Sequence, residues 1–323
     1  MRRTAICLRK LALFFIWLAR VAQPSLMRSF NDSPDETHMT KTLNFQQELT
    51  GVFGYPVSEN PSQVMVEAAY RHHGLDWRYL SLAVAPADLA TAVQGARAMG
   101  FRGFNCTQPH KIAVIPYLDG LGESAALMGA VNCVVRRGDR FIGENTDGKG
   151  FLQSLRETID PVGKKVVIFG AGGAARAISV ELALAGVRSF IIVNREEQRG
   201  QDLVTLLRQK IGVDAEAVLW RGDYAIPRDI DVVINATSIG LYPDVDARVP
   251  LDLNTLKPHM IVADVIPNPP ATRLICDAQA RGCRVIDGLG MLVNQGVIGI
   301  VFWTGITPDP QIMRQALENV FAR

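Results

Sequence analysis

A chain of 323 residues exceeds the roughly 250 to 300 at which one hydrophobic core stops growing, which predicts about two domains. Its composition, 48% hydrophobic and 20% charged, excludes a disordered, collagen-like or low-complexity polymer. A net charge of +2 lacks the basic footprint of a nucleic-acid binder, so the expected partner is a small molecule. Five cysteines, with no CxxC pair and no histidine in ligand spacing, argue against a disulfide framework and a structural zinc site, and no metal is expected.

The first forty residues read differently from the rest. A basic start is followed by the apolar run Leu11 to Leu18, too short for the roughly 20 residues that span a bilayer and without small residues at a cleavage site. Gln23 to His38 has the polar composition of a linker, and Met39 follows it. The preferred reading is a nonessential or untranslated extension over 1–40, with a targeting segment as the alternative. A cytoplasmic protein without stable membrane association is expected.

From Leu49 onward strands and helices alternate. Expected strands are Leu49 to Val57, Arg78 to Val84 and Phe101 to Cys106, with helices over Asn60 to Gly74, Pro86 to Met99 and Ile112 to Asp119. Ala130 to Arg136 and Arg140 to Ile142 form a hairpin about Gly138 and Asp139, and Gly148 to Ile159 is a helix. Lys164 to Phe169 is almost continuously apolar, as a strand covered on both sheet faces should be. The pattern predicts an α/β protein of two domains: a substrate domain with a mostly parallel sheet over 41–148 and a Rossmann-like dinucleotide domain over 149–288. Residues 289–323 return as helices to the first domain, and the ligand cleft lies between the two. Closure about a hinge near Gly148 to Gly150, with the chain crossing back near Asp287 to Gly290, is expected.

The strongest local signal is Gly170-Ala171-Gly172-Gly173-Ala174-Ala175 between a strand and a helix. Gly170 permits the tight turn, Gly172 lets the backbone approach a pyrophosphate, and the helix start supplies free N–H groups. At the tip of the next strand, where an NAD enzyme carries a carboxylate for the ribose, stand Asn194 and Arg195, with Arg199 one turn on. Two guanidiniums suit a 2′-phosphate and favour NADP, with NAD the alternative, while Glu196 and Glu197 oppose that potential. Thr237 and Ser238 follow an apolar strand and read as cofactor contacts or a turn. Gly288 and Gly290 read as close backbone approaches to the nicotinamide or a plain loop.

Polar clusters gather at two other strand ends: Asn105 to Lys111, and Glu144 to Asp147. A desolvated lysine can act as acid or base, and a carboxylate beside it would hold the ammonium. From spacing alone, a surface lysine and a helix-capping aspartate account for Lys111 and Asp147 equally well. His110 is the only histidine near these clusters.

Asn105-Cys-Thr107-Gln-Pro109-His-Lys111, Gly129-Ala-Val-Asn132, Asn145-Thr-Asp147-Gly-Lys-Gly150, Gly170 to Arg176, Asn194-Arg195 and Asn235-Ala-Thr-Ser238 occur in the order seen in shikimate/quinate dehydrogenases. Met291 to Gln295 and Phe302 to Gly305 extend this resemblance, which covers Leu49 to Arg323. The resemblance implies reversible NADP-linked reduction of 3-dehydroshikimate, or of 3-dehydroquinate in the quinate-using branch. It implies Lys111 as proton shuttle, Asp147 as its partner, and Asn105, Thr107, Asn132 and Gln295 as substrate contacts. Where the family shows His-Ser-x-Ser-Pro, with both hydroxyls on the substrate carboxylate, this chain reads Glu59-Asn60-Pro61-Ser62-Gln63. Asn60 and Ser62 are then the substrate contacts at that end. Pro267 stands where the family usually has a tyrosine. The departures leave room for a quinate-like or other analogue, or for a non-catalytic sensor of a hydroaromatic acid. A monomer or homodimer is expected.

Overall fold

A computed structural model describes residues 45–322, so the expectations for residues 1–40 lie outside the described residues. Two six-stranded sheets carry the architecture. The first contains β1 (Glu48–Gly54), β2 (Trp77–Ala83), β3 (Gly103–Cys106), β4 (Gly120–Leu121), β5 (Cys133–Arg137) and β6 (Arg140–Glu144), in the order β2-β1-β3-β5-β6-β4. The pairs β1/β2, β1/β3 and β4/β6 are parallel. The pairs β3/β5 and β5/β6 are antiparallel, the second because the turn at Gly138, with φ +61°, folds β6 back on β5.

Helices α1 (Ser62–His72) and α2 (Leu89–Ala98) form as the spacing predicts, with Met65, Val66 and Ala69 of α1 buried. The helix expected over Ile112 to Asp119 does not form at that length. A single turn, α3 (His110–Ala113), is followed by a 3-10 turn at Ile115–Tyr117. Pro116 has no N–H to continue the α-helical ladder, and its ring opposes the preceding turn. The short strand β4 and the helix α4 (Glu123–Met128), closed by Gly129 in the left-handed conformation, fill the segment instead.

Helix α5 (Asp147–Arg156) leads from β6 to the second sheet. That sheet comprises β7 (Lys165–Phe169), β8 (Ser189–Asn194), β9 (Asp214–Leu219), β10 (Val232–Asn235), β11 (Ile261–Asp264) and β12 (Arg284–Ile286). All its pairs are parallel, and the order β12-β11-β10-β7-β8-β9 is the Rossmann order. Helices α6 (Gly173–Leu184), α7 (Glu197–Leu206) and α8 (Arg273–Ala280) connect its strands. Val166 to Phe169 are fully buried, which explains why β7 reads as an unbroken apolar run.

The last two helices, α9 (Gly288–Thr304) and α10 (Pro310–Phe321), return to the first sheet. Val297, Ile300, Met313 and Leu317 share one core with Val52, Met65, Tyr70 and Val135. Trp303 closes that core, its indole N–H donating to the Val134 carbonyl at 3.0 Å. Gly148 and Gly150, expected to lie at a hinge, sit inside helix α5 as close-packing positions. A Cβ on Gly148 would lie 2.2 Å from the Ala177 carbonyl oxygen of α6, and one on Gly150 would lie 2.6 Å from the Gln295 nitrogen of α9. No helix among the described residues is long and apolar enough to cross a membrane.

Candidate active site

The C-terminal ends of β3 and β6 bring the two polar clusters together. Lys111, on the single turn α3, reaches Asp147 at the start of α5, with Nζ 2.6 Å from Oδ2. The other carboxylate oxygen accepts from Asn132 Nδ2 at 2.8 Å. Asn132 also donates to Thr146 Oγ1 at 3.0 Å, and its own oxygen accepts from the Thr146 backbone N–H at 2.6 Å. Thr146 is fully buried and bridges to Gln295 Oε1 on α9 at 3.3 Å. Asp147 is thus clamped on both oxygens, while Lys111 keeps about a third of its side chain exposed to the cleft (33%).

The cleft, about 160 Å³ in volume, is lined by Asn60, Ser62, Asn105, Thr107, Lys111, Asn132, Asp147 and Gln295. Val52, Cys106 and Leu292 complete the lining and were not singled out by the sequence, because an apolar strand or helix residue reads as ordinary core. The Cys106 thiol is pushed up to about 12 by burial, so it fills space rather than reacting. Asn60 Oδ1 accepts from the Ser62 backbone N–H at 2.9 Å, which leaves the Asn60 amide hydrogens for the cleft. Glu59 is exposed and is not part of the lining. His110 is buried, with Nε2 at 2.8 Å from the Val84 carbonyl, and among the described residues no cluster of His, Cys, Asp or Glu could hold a metal.

The second sheet carries the dinucleotide turn. Gly170, at the end of β7, has φ +101°, which only glycine adopts without strain, and a Cβ there would lie 2.9 Å from the Ala236 carbonyl. Helix α6 starts at Gly173 without a side-chain cap, and nothing lies within 4 Å of where a Cβ on Gly172 or Gly173 would stand. With Ala171 and Ala174 beside them, these backbone N–H groups form an open cradle that fits a pyrophosphate. Thr237 stands against the same turn, its methyl 3.1 Å from the Cβ position of Gly170, and Ser238 beside it is exposed.

At the tip of β8 the candidates separate. Asn194 donates to the Glu196 carbonyl at 2.7 Å, and Arg199 pairs with Glu196 at 2.9 Å, so part of its charge is taken locally. Arg195 forms no ion pair among the described residues, and its guanidinium lies over the Trp220 ring at 5.5 Å. The Cβ-free side of Gly288 faces the Ile266 carbonyl, 2.1 Å from where a Cβ would stand, rather than the open cleft. That glycine is required by the packing of α9 on the segment after β11.

Behind Thr237 lies a fully buried carboxylate. Asp264 accepts from Asn235 Nδ2 at 3.1 and 3.2 Å and from Thr272 Oγ1 at 2.8 Å, and Asn235 Oδ1 accepts from Thr237 Oγ1 at 2.7 Å. Burial outweighs these hydrogen bonds and raises the Asp264 carboxyl to about 6. The folded state therefore binds the proton more tightly than the unfolded chain. This contribution to stability is present below pH 4 and is lost as pH rises through 6, by about 2 kcal/mol between pH 4 and pH 7. Relative to Asp264→Asn, the wild type should lose that amount in urea unfolding across this range; parallel pH profiles would show that the carboxyl titrates normally.

A glycine-rich strand-to-helix turn on a parallel sheet, together with a polar cleft that holds a lysine–carboxylate pair, is the pattern of nicotinamide-dependent dehydrogenases. Family models describe the shikimate dehydrogenase substrate binding domain at residues 52–134, shikimate/quinate 5-dehydrogenase at residues 154–242 and the shikimate 5′-dehydrogenase C-terminal domain at residues 288–318. The chain belongs to the shikimate/quinate dehydrogenase family. It is 42% identical over 275 residues to a shikimate dehydrogenase (NADP(+)) of Moorella thermoacetica, covering 84% of this chain and 92% of that one. Among solved structures, a shikimate dehydrogenase in complex with NADP+ superposes with a TM-score of 0.80 at 35% identity, covering 87% of this chain and 98% of the other. The ligand-free 5-ketofructose reductase of Gluconobacter sp. strain CHM43 superposes with a TM-score of 0.84 at 53% identity, covering 86% of this chain and all of that one (100%).

Proposed function

We propose that this chain is an NADP-dependent dehydrogenase that interconverts 3-dehydroshikimate and shikimate, with Lys111 as acid/base and Asp147 as its partner. The observation that carries the reading is the 2.6 Å contact between Lys111 and Asp147 at the mouth of a cleft lined by amides and hydroxyls. A bound dinucleotide would supply the hydride for the carbonyl carbon. Lys111, as ammonium, gives a proton to the ketone oxygen; in the reverse direction the amine takes it back. The Asp147 carboxylate holds the lysine in place and is itself oriented by Asn132. A sensor would need neither the ion pair nor the amide that orients it. An enzyme that draws on a recycled dinucleotide works where that dinucleotide is regenerated, and we place it in the cytoplasm.

A second substrate is favoured by two observations. The chain shares 53% identity with the 5-ketofructose reductase, and Asn60 occupies the place of the family's first carboxylate-binding serine. The same proton and hydride transfers would then reduce an uncharged sugar ketone. Initial rates with NADPH and NADH, each with 3-dehydroshikimate and 5-ketofructose, test both. Turnover of 3-dehydroshikimate with NADPH supports the first reading, turnover of 5-ketofructose alone selects the second, and folded protein that reduces neither overturns both.

Arg195 is the proposed partner of the 2′-phosphate. Arg195→Ala should raise the KM for NADPH about tenfold or more while leaving that for NADH within about twofold. An equal change for both cofactors would remove Arg195 from that role.

A further inference from the structure

Arg195 rests on a tryptophan that the sequence pattern assigns to the core. Strand β9 runs parallel to β8 with Leu219 beside Asn194, and the Trp220 amide donates to the Asn194 carbonyl at 2.9 Å. The ladder thus continues one residue past β9 and brings Trp220 alongside Arg195. The indole is buried and fixed from two sides: its N–H donates to the Pro250 carbonyl at 2.9 Å, and its ring packs on Phe169 of β7 with 5.0 Å between centroids. The guanidinium carbon of Arg195 lies 5.5 Å from the centre of this ring, within the roughly 6 Å over which an aromatic face attracts a cation.

The neighbours of Arg195 show what the ring prevents. Arg195 is exposed, and two carboxylates, Glu196 and Glu197, follow it directly. Arg199 on the same tip has taken the other course: its Nε pairs with Glu196 at 2.9 Å. An arginine so paired must release a carboxylate before it can take a phosphate. An aromatic face attracts the guanidinium through its quadrupole and uses none of the N–H donors. Arg195 makes no hydrogen bond or ion pair among the described residues, so its planar fork stays uncommitted. Contact with a fixed ring also removes part of the rotamer freedom that a solvated arginine loses on binding.

We infer that Trp220 is a positioning residue for cofactor choice: its indole holds the Arg195 guanidinium away from the adjacent carboxylates, with its donors free, and so sets the preference for NADPH over NADH. The inference rests on the proposed role of Arg195 at the 2′-phosphate and deepens it.

The test is a double-mutant cycle on Arg195→Ala and Trp220→Leu. Its readout is the Kd for NADPH and for NADH, which differ only in the 2′-phosphate, by fluorescence titration without any ketone. Trp220→Leu should raise the Kd for NADPH about fivefold and leave that for NADH within about twofold. In the Arg195→Ala background the same substitution should leave both within about twofold, because the ring acts through the guanidinium. Trp220→Phe keeps an aromatic face while losing the bond to Pro250; it should stay within about twofold of wild type, and it guards against a folding defect in the leucine variant. Equal shifts for the two cofactors, no shift at all, a leucine effect that persists without the guanidinium, or a phenylalanine variant as weak as the leucine one would each overturn the inference while leaving Arg195 at the 2′-phosphate. If Arg195→Ala itself weakens NADPH and NADH alike, the role of Arg195 fails and the inference fails with it.

Discussion

Lys111→Ala should lower kcat by about 10³-fold, within the range typical for loss of a general acid, while NADPH binding stays within about twofold. Among the described residues Lys111 Nζ is the only cationic donor lining the cleft, and its polar neighbours cannot replace it: Asn132 has both amide hydrogens committed, and Thr146 is fully buried. Removing the ammonium also leaves the Asp147 carboxylate without its partner, facing the oxygen on which negative charge develops in the transition state. The two losses act on the same step and would not be recovered at saturating substrate, so they fall on kcat rather than on KM. Steady-state rates combined with fluorescence titration of NADPH separate these quantities. A fall below about tenfold in kcat would mean that the proton reaches the ketone by another route, such as water entering through the exposed side of the pair.

Gly148→Ala should destabilise the fold by about 3 kcal/mol, the upper part of the range for overpacking a closed contact. The added methyl would stand 2.2 Å from the Ala177 carbonyl oxygen and 2.7 Å from its carbon, and both are backbone atoms of α6. Helix α6 cannot move away freely, because Ala175, Ile178 and Val180 are buried against the second sheet. Helix α5 is held on its other side by α9, where Gly150 meets the Gln295 backbone. Urea unfolding measures the effect. Gly172→Ala is the contrast, since its Cβ would point into open space and should leave stability within about 0.5 kcal/mol. A small effect at Gly148 would show that the two helices slide apart easily, as a hinge near these glycines requires.

The fold was legible where local signals agree. The β7–Gly170–α6 unit combines an unbroken apolar strand, a turn that needs φ > 0 and a helix start within a dozen residues, so each part supports the others. The region from His110 to Met128 was poorly legible because it is built of single turns and a two-residue strand. Elements that short carry no period, and Pro116 breaks the apparent helix that composition suggests.

The candidate site was legible in its residues more than in its contacts. Lys111 and Asp147 come from different elements, and Asn132, on the stretch leading into β5, turns the carboxylate toward the lysine. No spacing rule brings three such segments together; the resemblance to known dehydrogenases did. Tyr79 escaped because a tyrosine in a strand reads as core, yet its phenol donates to Asn105 Oδ1 at 2.7 Å while the Asn105 amide donates to the Asn132 carbonyl at 2.9 Å, which fixes the orientation of that amide. At Arg199 the sequence already contained the opposing signal, Glu196 three residues earlier, which pairs with it and leaves Arg195 as the better anion partner.

The measurement that tests the central claim most directly follows the hydride itself. Reduction of 3-dehydroshikimate and of 5-ketofructose is run with NADPH deuterated at the nicotinamide C4, and the alcohol products are analysed by mass spectrometry and NMR. The account predicts one deuterium on the new carbinol carbon of at least one product, formed by the wild type and lost in parallel with turnover in Lys111→Ala. Product without deuterium at that carbon, or no product from folded protein that binds NADPH, would contradict it.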